Sequence, residues 1–581
     1  MQRRQQTIPD AFFEGVNQSP DKAALLYKKG KVYFPITYQE LSRKIKIFAA
    51  CLQKLGTKEG DKVAILSENR PEWVIADFGA MLAGGVVVPI HTTLNPKVIK
   101  YILDHAEVKI LIVSNSDLLH KVFLIEKDLH FLEDIVLIEK IAIDHKEIFK
   151  ERILGWEEFL SLAQETEFKK IELEKNGVCS IIYTSGTTGI PKGVMLTHNN
   201  FLSNARAVSQ FIPIKKEDVF LSFLPLSHVL ERLAGHFIPL LSAATIAYAE
   251  SPKNLAFDIK EVKPTILISV PRVFEKINDS IWDKVRASSL FKKKVFFWAT
   301  KQKIGSFGHK LADFLVFRKM RKQLGGGLRL TISGGASLNP KIARFFLKIR
   351  ILILEGYGLT ETSPVVSVNL EKNFRFGTVG KVLPGLKVKI SSDKEILIQG
   401  PNVMKGYFKD PEATTSIVDK DGWFHSGDLG FIDNDGFLTI IGRKKEMIVT
   451  SGGKNVWPEP IEHKLDIDRF IYQSMVVGNK RKFISALIVP DWDEVSKFLK
   501  KNNLPIEEPE KLIKNPVILD VFQKRIEKIN QELSDYEQIK KFRLLTDAFS
   551  QERDELTPTL KLRRHIIEKH CQKEIEGMYG S

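Results

Sequence analysis

From residue 62 to residue 114 the sequence alternates short apolar runs with bounded helical segments so regularly that few folds remain open to it. Residues 62–67 read as a buried strand. Pro71 stands where a first helical residue belongs, and Gly84-Gly85 ends that helix. Residues 86–90 are the next strand, 96–105 the next helix and 109–114 a third strand. Upstream, Thr37-Tyr-Gln-Glu40 is a capping box opening a helix that Gly56 can close. This rhythm implies a parallel or mixed sheet covered by helices. Further strands are expected at 219–224, 265–270, 328–333 and 351–354. After Gly377 the pattern turns to antiparallel hairpins: 385–390 with 395–398, then 430–441 around Asn434-Asp-Gly436. Beyond Gly442 a smaller α+β unit begins. It has strands near 474–477 and 486–489, a turn at Lys480-Arg481 and charged helices through 520–534.

Within this frame one loop carries unusual chemistry. Residues 183–193 read Tyr-Thr-Ser-Gly-Thr-Thr-Gly-Ile-Pro-Lys-Gly, after an apolar run at 178–182 and before a helix through 200–211 that Thr197 can cap. Glycines let backbone N–H groups converge on an anion, hydroxyls add donors and a lysine supplies charge. The combination suits a polyphosphate. It is not a Walker P-loop, because Gly-x-x-x-x-Gly-Lys-Ser/Thr does not occur. An ordinary Ser/Thr/Gly surface loop is the alternative, and the flanking elements with Pro191-Lys192-Gly193 weigh against it.

The charge balance narrows the partners. A net charge of +16 attracts nucleic acid, anionic lipid or anionic small molecules. Zinc-finger spacing, an RNP-type aromatic strand and a basic zipper are all missing, so no nucleic acid partner is expected. Cys51, Cys179 and Cys571 stand far apart without a C-x-x-C pair, which fits a reducing compartment. No signal-peptide core follows the basic start and no eighteen apolar residues run together, so a cytoplasmic protein is expected.

Five further runs complete the pattern: Gly334-Gly-Ala-Ser-Leu-Asn-Pro340, Gly356-Tyr-Gly-Leu-Thr-Glu-Thr362, His425-Ser-Gly-Asp-Leu-Gly430, Gly442-Arg-Lys-Lys-Glu446 and Leu556-Thr-Pro-Thr-Leu-Lys-Leu-Arg-Arg564. In this order, and with 183–193, they resemble the core motifs of the adenylate-forming superfamily, over roughly residues 7 to 565. Leu560 stands where the general pattern has glycine; that form, with Leu224-Pro-Leu-Ser-His-Val229, resembles the long-chain fatty acyl-CoA synthetase branch. The resemblance implies a mixed α/β and α+β fold: a large N-terminal adenylation domain, 1–442, with helix-covered sheets and a β-barrel-like subdomain. A small mobile C-terminal α+β domain, 443–581, would follow, with a hinge near Lys445. It implies ATP-dependent, Mg2+-assisted activation of a long-chain fatty acid to acyl-AMP, then transfer to coenzyme A. An acyl–acyl carrier protein synthetase and a catalytically silent adenylate-binding protein are the alternatives. A homodimer is admitted among the partners.

The residue roles follow from the same resemblance. Thr184, Ser185, Gly186, Thr187, Thr188 and Lys192 would hold the β- and γ-phosphates. Gly334, Gly335 and Ala336, with Tyr357 and Gly358, would wall the adenine slot. Thr360 would touch the α-phosphate and Glu361 would bind Mg2+. Asp428 would grip the ribose hydroxyls with Arg443 beside it. Lys561 would bridge the acyl carboxylate and the α-phosphate, and His228 would lie between nucleotide and acyl tunnel. Gly452 would let pantetheine pass close to backbone after rotation about Lys445.

One stretch falls outside these motifs. From residue 284 to 322 lysines and arginines crowd with almost no acids, and Phe291, Phe296, Phe297, Trp298, Phe307, Phe314 and Phe317 interleave. A helix pair with rings inward and lysines solvated is the plain reading. Peripheral contact with anionic membrane at the inner face is the sharper one.

Overall fold

The computed structural model describes residues 6–30, 32–125, 129–140, 153–184, 190–251, 254–557 and 561–580. The chain divides into two compact units. The first holds residues 1–389, 397–426 and 432–439, the second 390–396, 427–431 and 440–581.

Two large sheets organise the first unit. In one, Lys62–Leu66 lies between Val86–Ile90 and Val108–Val113, parallel to both, and Val86–Ile90 runs parallel to Val178–Thr184. Val178–Thr184 then turns back antiparallel into Lys192–Thr197, which makes the sheet mixed. The helices obey their local signals. Thr37 accepts from the Glu40 N–H while the Glu40 carboxylate accepts from the Thr37 N–H, capping Tyr38–Lys54. Pro71–Leu82 begins on its proline, and Pro96–His105 is capped by Asn95. Gly84 takes φ +83°, the left-handed conformation that lets the chain leave Pro71–Leu82 for the next strand.

In the second large sheet Val219–Ser222, Ile266–Ser269, Leu330–Ser333 and Ile353–Gly358 run parallel in neighbouring order. At its other end Ala23–Lys29 pairs in parallel with Thr245–Tyr248, Leu25 opposite Ile246. Near-continuous apolar burial in these strands is what a sheet covered on both faces requires. The hairpins expected after Gly377 are present as Lys387–Ile390, Glu395–Gln399, Phe424–Ile432 and Leu438–Arg443. They form a four-stranded sheet where a barrel-like subdomain is expected.

The second unit includes a three-stranded sheet. Ile471–Val477 pairs antiparallel with Ile484–Pro490, which runs parallel to Ile539–Leu544. Helices Pro458–Asp466, Trp492–Lys501 and Pro516–Asn530 supply the apolar cover from Ile461, Val495, Leu499, Ile518 and Phe522. Among the described residues no helix is long and apolar enough to cross a membrane.

Candidate active site

The two ends of the 183–193 stretch lie on antiparallel strands. Tyr183 pairs with Gly193 and Thr184 with Lys192, so a strand, Lys192–Thr197, separates the loop from the helix His198–Phe211. No local signal marks this strand, whose residues are specified by pairing with Val178–Thr184. Ser185, Gly186, Thr187 and Thr188 lie outside the described residues. Gly193 has a steric reason to be glycine: a Cβ there would sit 2.8 Å from Ile181 Cγ2 and 3.1 Å from Tyr183 Cζ.

Lys192 does not stand alone. Its ammonium lies 3.4 Å from Asp410 Oδ2 and 5.1 Å from the centroid of the Tyr407 ring. The Tyr407 hydroxyl donates to Glu361 Oε1 at 2.9 Å. A single aromatic ring therefore connects Lys192 to Glu361. Burial, and then the Glu361 charge, push the Tyr407 hydroxyl well above its ordinary range, so it stays a donor at neutral pH. Asp410 is held below the usual carboxylate range, first by the Ala413 N–H that it accepts as a helix cap and then by Lys192.

Thr360 and Glu361 sit in one turn of 3₁₀ helix, Thr360–Thr362. Asn402, fully buried, donates to the Thr362 carbonyl at 2.9 Å, and Met404 N–H donates to the Glu361 carbonyl at 2.8 Å. The turn is thus fixed by its backbone, with the Thr360 and Glu361 side chains half-buried. Glu361 suits Mg2+ chemically: a carboxylate carries about four lone-pair sites, and the Tyr407 bond uses one. No group of three His, Cys, Asp or Glu able to hold a metal occurs among the described residues. One carboxylate working with substrate phosphates is how Mg2+ usually binds.

The residues expected at the adenine slot come from neighbouring strands. Ser333, which leads into Gly334-Gly335-Ala336, pairs in parallel with Glu355, two residues before Tyr357. Glu355 is buried and accepts from the Leu338 N–H at 3.0 Å, locking the glycine loop to the tyrosine strand. Burial pushes its carboxyl up to about 7, against the pull of the Leu338 and Gly377 N–H groups. Gly335 takes φ +84°. Gly358 admits no side chain, since a Cβ would lie 1.7 Å from the Pro364 carbonyl oxygen. His228 reaches this neighbourhood through Leu230, whose N–H lies 3.3 Å from His228 Nδ1 and whose Cδ2 would lie 3.0 Å from a Cβ on Gly334.

Four residues beyond His228, Arg232 centres a charged cluster that no local motif marks. Arg232, fully buried, binds both Asp77 oxygens and donates to Ser180 Oγ at 2.6 Å. Burial alone would raise Asp77, but the Arg232 guanidinium and the His236 ring, 3.1 Å away, hold it below the carboxylate range. Ser180 belongs to the strand that leads to Thr184, so the cluster ties that strand to the His228 segment. Beside it, burial pushes Glu231 up to about 8.

In the second unit Arg443 Nε lies 3.0 Å from Asp428 Oδ1, an ion pair between the two residues expected at the ribose. Asp428 is buried and Arg443 half-buried. Lys561 faces Thr557: its N–H donates to Thr557 Oγ1 at 3.0 Å and its carbonyl accepts the Thr557 N–H at 2.8 Å, ahead of the helix Arg564–His570. Desolvation, then the Arg443 charge, hold its ammonium below the ordinary lysine value; Glu459, Asp428 and Glu446 pull the other way. Lys445 is exposed in the short helix Lys444–Glu446. Gly452 tops the hairpin Ile448–Val449/Asn455–Val456, where the nearest atom to an added Cβ would be Thr450 Oγ1 at 4.0 Å.

Profiles of known families match almost the whole of this chain. One described as AMP-binding enzyme covers residues 12–408, and another, AMP-binding enzyme C-terminal domain, covers 445–581. The chain belongs to the AMP-binding enzyme family. Among its relatives, the rat protein named Long-chain-fatty-acid–CoA ligase ACSBG2 is 34% identical over 99% of this chain and 93% of its own length. The Mycobacterium bovis protein named Long-chain-fatty-acid–CoA ligase FadD15 is 34% identical over 98% and 96% respectively. At the level of fold, the adenylation domain of a carboxylate reductase from Mycobacterium chelonae superposes with a TM-score of 0.82 at 20% identity, covering 100% of this chain and 92% of that one. The large sheet unit and the smaller α+β unit are thus those of an AMP-binding enzyme.

Proposed function

We propose that this AMP-binding enzyme is a long-chain fatty acid–CoA ligase. A fatty acid carboxylate attacks the α-phosphorus of MgATP and pyrophosphate leaves. The thiol of coenzyme A then attacks the acyl carbonyl and AMP leaves. The observation that supports this reading is the similarity, over nearly the full length, to proteins named long-chain-fatty-acid–CoA ligases in a mammal and in a bacterium.

The side chains divide the work. Carboxylate and triphosphate repel each other, so the attack needs fixed positive charge and a metal. Lys192 holds the departing phosphates, and Glu361 holds Mg2+, which neutralises phosphate charge when bound. Tyr407 keeps Glu361 in register with Lys192. The glycine loop at 334–336 and Tyr357 receive adenine; Asp428 and Arg443 hold the ribose. Lys561 neutralises the carboxylate and the α-phosphate together. Gly452, with open space where a side chain would stand, admits the pantetheine arm after the 443–581 domain turns about Lys445.

A panel of fatty acids of increasing length, with coenzyme A and acyl carrier protein offered as acceptors, tests the reading. Pyrophosphate release and acyl-CoA accumulation with the longer acids are expected. Thioester on carrier protein alone would make the chain an acyl–acyl carrier protein synthetase, and absence of pyrophosphate release would make it a silent adenylate binder. Peripheral contact with anionic membrane at the cytoplasmic face belongs to the same reading, since the substrate partitions into lipid. A homodimer is compatible with it, and light scattering decides that point.

A further inference from the structure

The crossover between the parallel neighbours Ile266–Ser269 and Leu330–Ser333 takes residues 270–329, where about a dozen would suffice. Most of the surplus is helix. Its inner faces are satisfied: Ala299, Ala312 and Phe317 pack with Phe274 and Phe346, and buried Phe296 meets Trp282 edge-on. The plain expectation that all these rings face inward holds for Phe296 and Phe317 and fails for the others.

The outer faces repeat one pattern. Along helix Leu290–Lys301, Phe291, Lys294, Phe297 and Lys301 recur at helical spacing, all exposed. Along the following helical run, 307–323, Phe307, Lys310, Phe314 and Arg318 do the same. Exposure reaches 75% at Phe291, 83% at Phe307 and 66% at Phe314. Single exposed rings are common on soluble proteins; two adjacent stripes of them are the mark of a partner. The one acid between 290 and 322, Asp313, is engaged by Arg321 and Arg350, so the charge presented outward is positive.

We infer that this two-helix face is where the protein docks on anionic lipid, Phe291, Phe307 and Phe314 entering the headgroup layer while the interleaved lysines pair with lipid phosphates. Lysine is depleted in protein–protein interfaces, whereas rings flanked by long cationic side chains suit the bilayer boundary. The crossover ends on the strand that delivers Gly334-Gly335, so the docked element is joined covalently to the nucleotide-binding loop. The inference rests on the ligase reading only for why a lipid surface is useful.

Vesicle co-sedimentation at low salt tests it, with phosphatidylcholine alone and mixed with phosphatidylglycerol. The full chain is compared with Phe291→Ser/Phe307→Ser/Phe314→Ser, which keeps the charge, and with Lys292→Glu/Lys294→Glu/Lys310→Glu, which keeps the rings. Binding to the anionic vesicles only, and about tenfold or greater loss in each variant, is the expected result. Acyl-CoA formation from detergent-dispersed fatty acid in the same preparations should stay at the parent level. Equal recovery with neutral and anionic vesicles, or parent-like binding by the serine variant, overturns the inference. So does tighter binding to an oligonucleotide than to vesicles, or a dimer that the serine variant dissociates. Lost ligation in the parent with vesicle binding retained would instead count against the ligase reading.

Discussion

Lys561 is pinned through its own backbone to Thr557, and the charges of Arg443, Glu459, Asp428 and Glu446 act on its ammonium. Lys561→Ala should lower acyl-AMP formation by on the order of 10²–10³ and largely spare thioester formation from supplied acyl-AMP. Separate assays of the two half-reactions check this, and equal losses would remove Lys561 from the first step. Glu231 gives a prediction of a different kind. Ser222 donates to its Oε1 at 2.7 Å, but its Oε2 has no hydrogen-bond partner among the described residues. Burial raises its carboxyl from 4.5 to about 8, so across that interval the folded chain keeps a proton that the unfolded chain has lost. Stability therefore falls as pH rises through this range. Glu231→Gln should gain nothing over the parent near pH 4.5 and a few kcal/mol above pH 8, read as a widening Tm difference. Lys192, Glu361 and Asp428 are proposed for the site because the motifs around them in sequence single them out. Tyr407, Asn402 and the Asp77–Arg232 pair carry no such local mark, because their contacts join distant parts of the chain.

Among the elements, those with local punctuation were read closely from sequence. Capping signals and glycine stops placed Tyr38–Lys54, Pro71–Leu82 and Pro96–His105 almost to the residue. Strands without such marks escaped: Ala23–Lys29, Thr245–Tyr248 and Lys192–Thr197 are specified by the strands beside them. Two glycines separate conformational need from functional need. Gly358→Ala forces a Cβ into the Pro364 carbonyl and should cost about 3 kcal/mol or more in denaturant unfolding. Gly452→Ala meets nothing closer than 4.0 Å, so stability should stay within about 0.5 kcal/mol of the parent. If pantetheine passes there, that variant should make acyl-AMP normally and acyl-CoA slowly. Normal acyl-CoA formation would clear Gly452 of the role.

For the whole molecule, the proposed turning of the 443–581 domain has an accessible reporter, because Lys444 and Lys445 are both exposed. Tryptic cleavage at this pair should differ in rate between enzyme loaded with fatty acid and MgATP and enzyme then given coenzyme A. Identical rates would speak against rotation at Lys445. The order of the strands also bears on how the chain is made. Ala23–Lys29 leaves the ribosome early, with Val32–Thr37 as its hairpin mate on one edge. Its other edge is filled only when Thr245–Tyr248 arrives. At about 5–20 residues per second, that edge waits on the order of ten to forty seconds. Until then a row of backbone donors and acceptors stands open beside Leu25 and Leu26. Biosynthesis of this enzyme thus carries an early window in which a chaperone, or another nascent chain, competes for the place that Ile246 eventually takes.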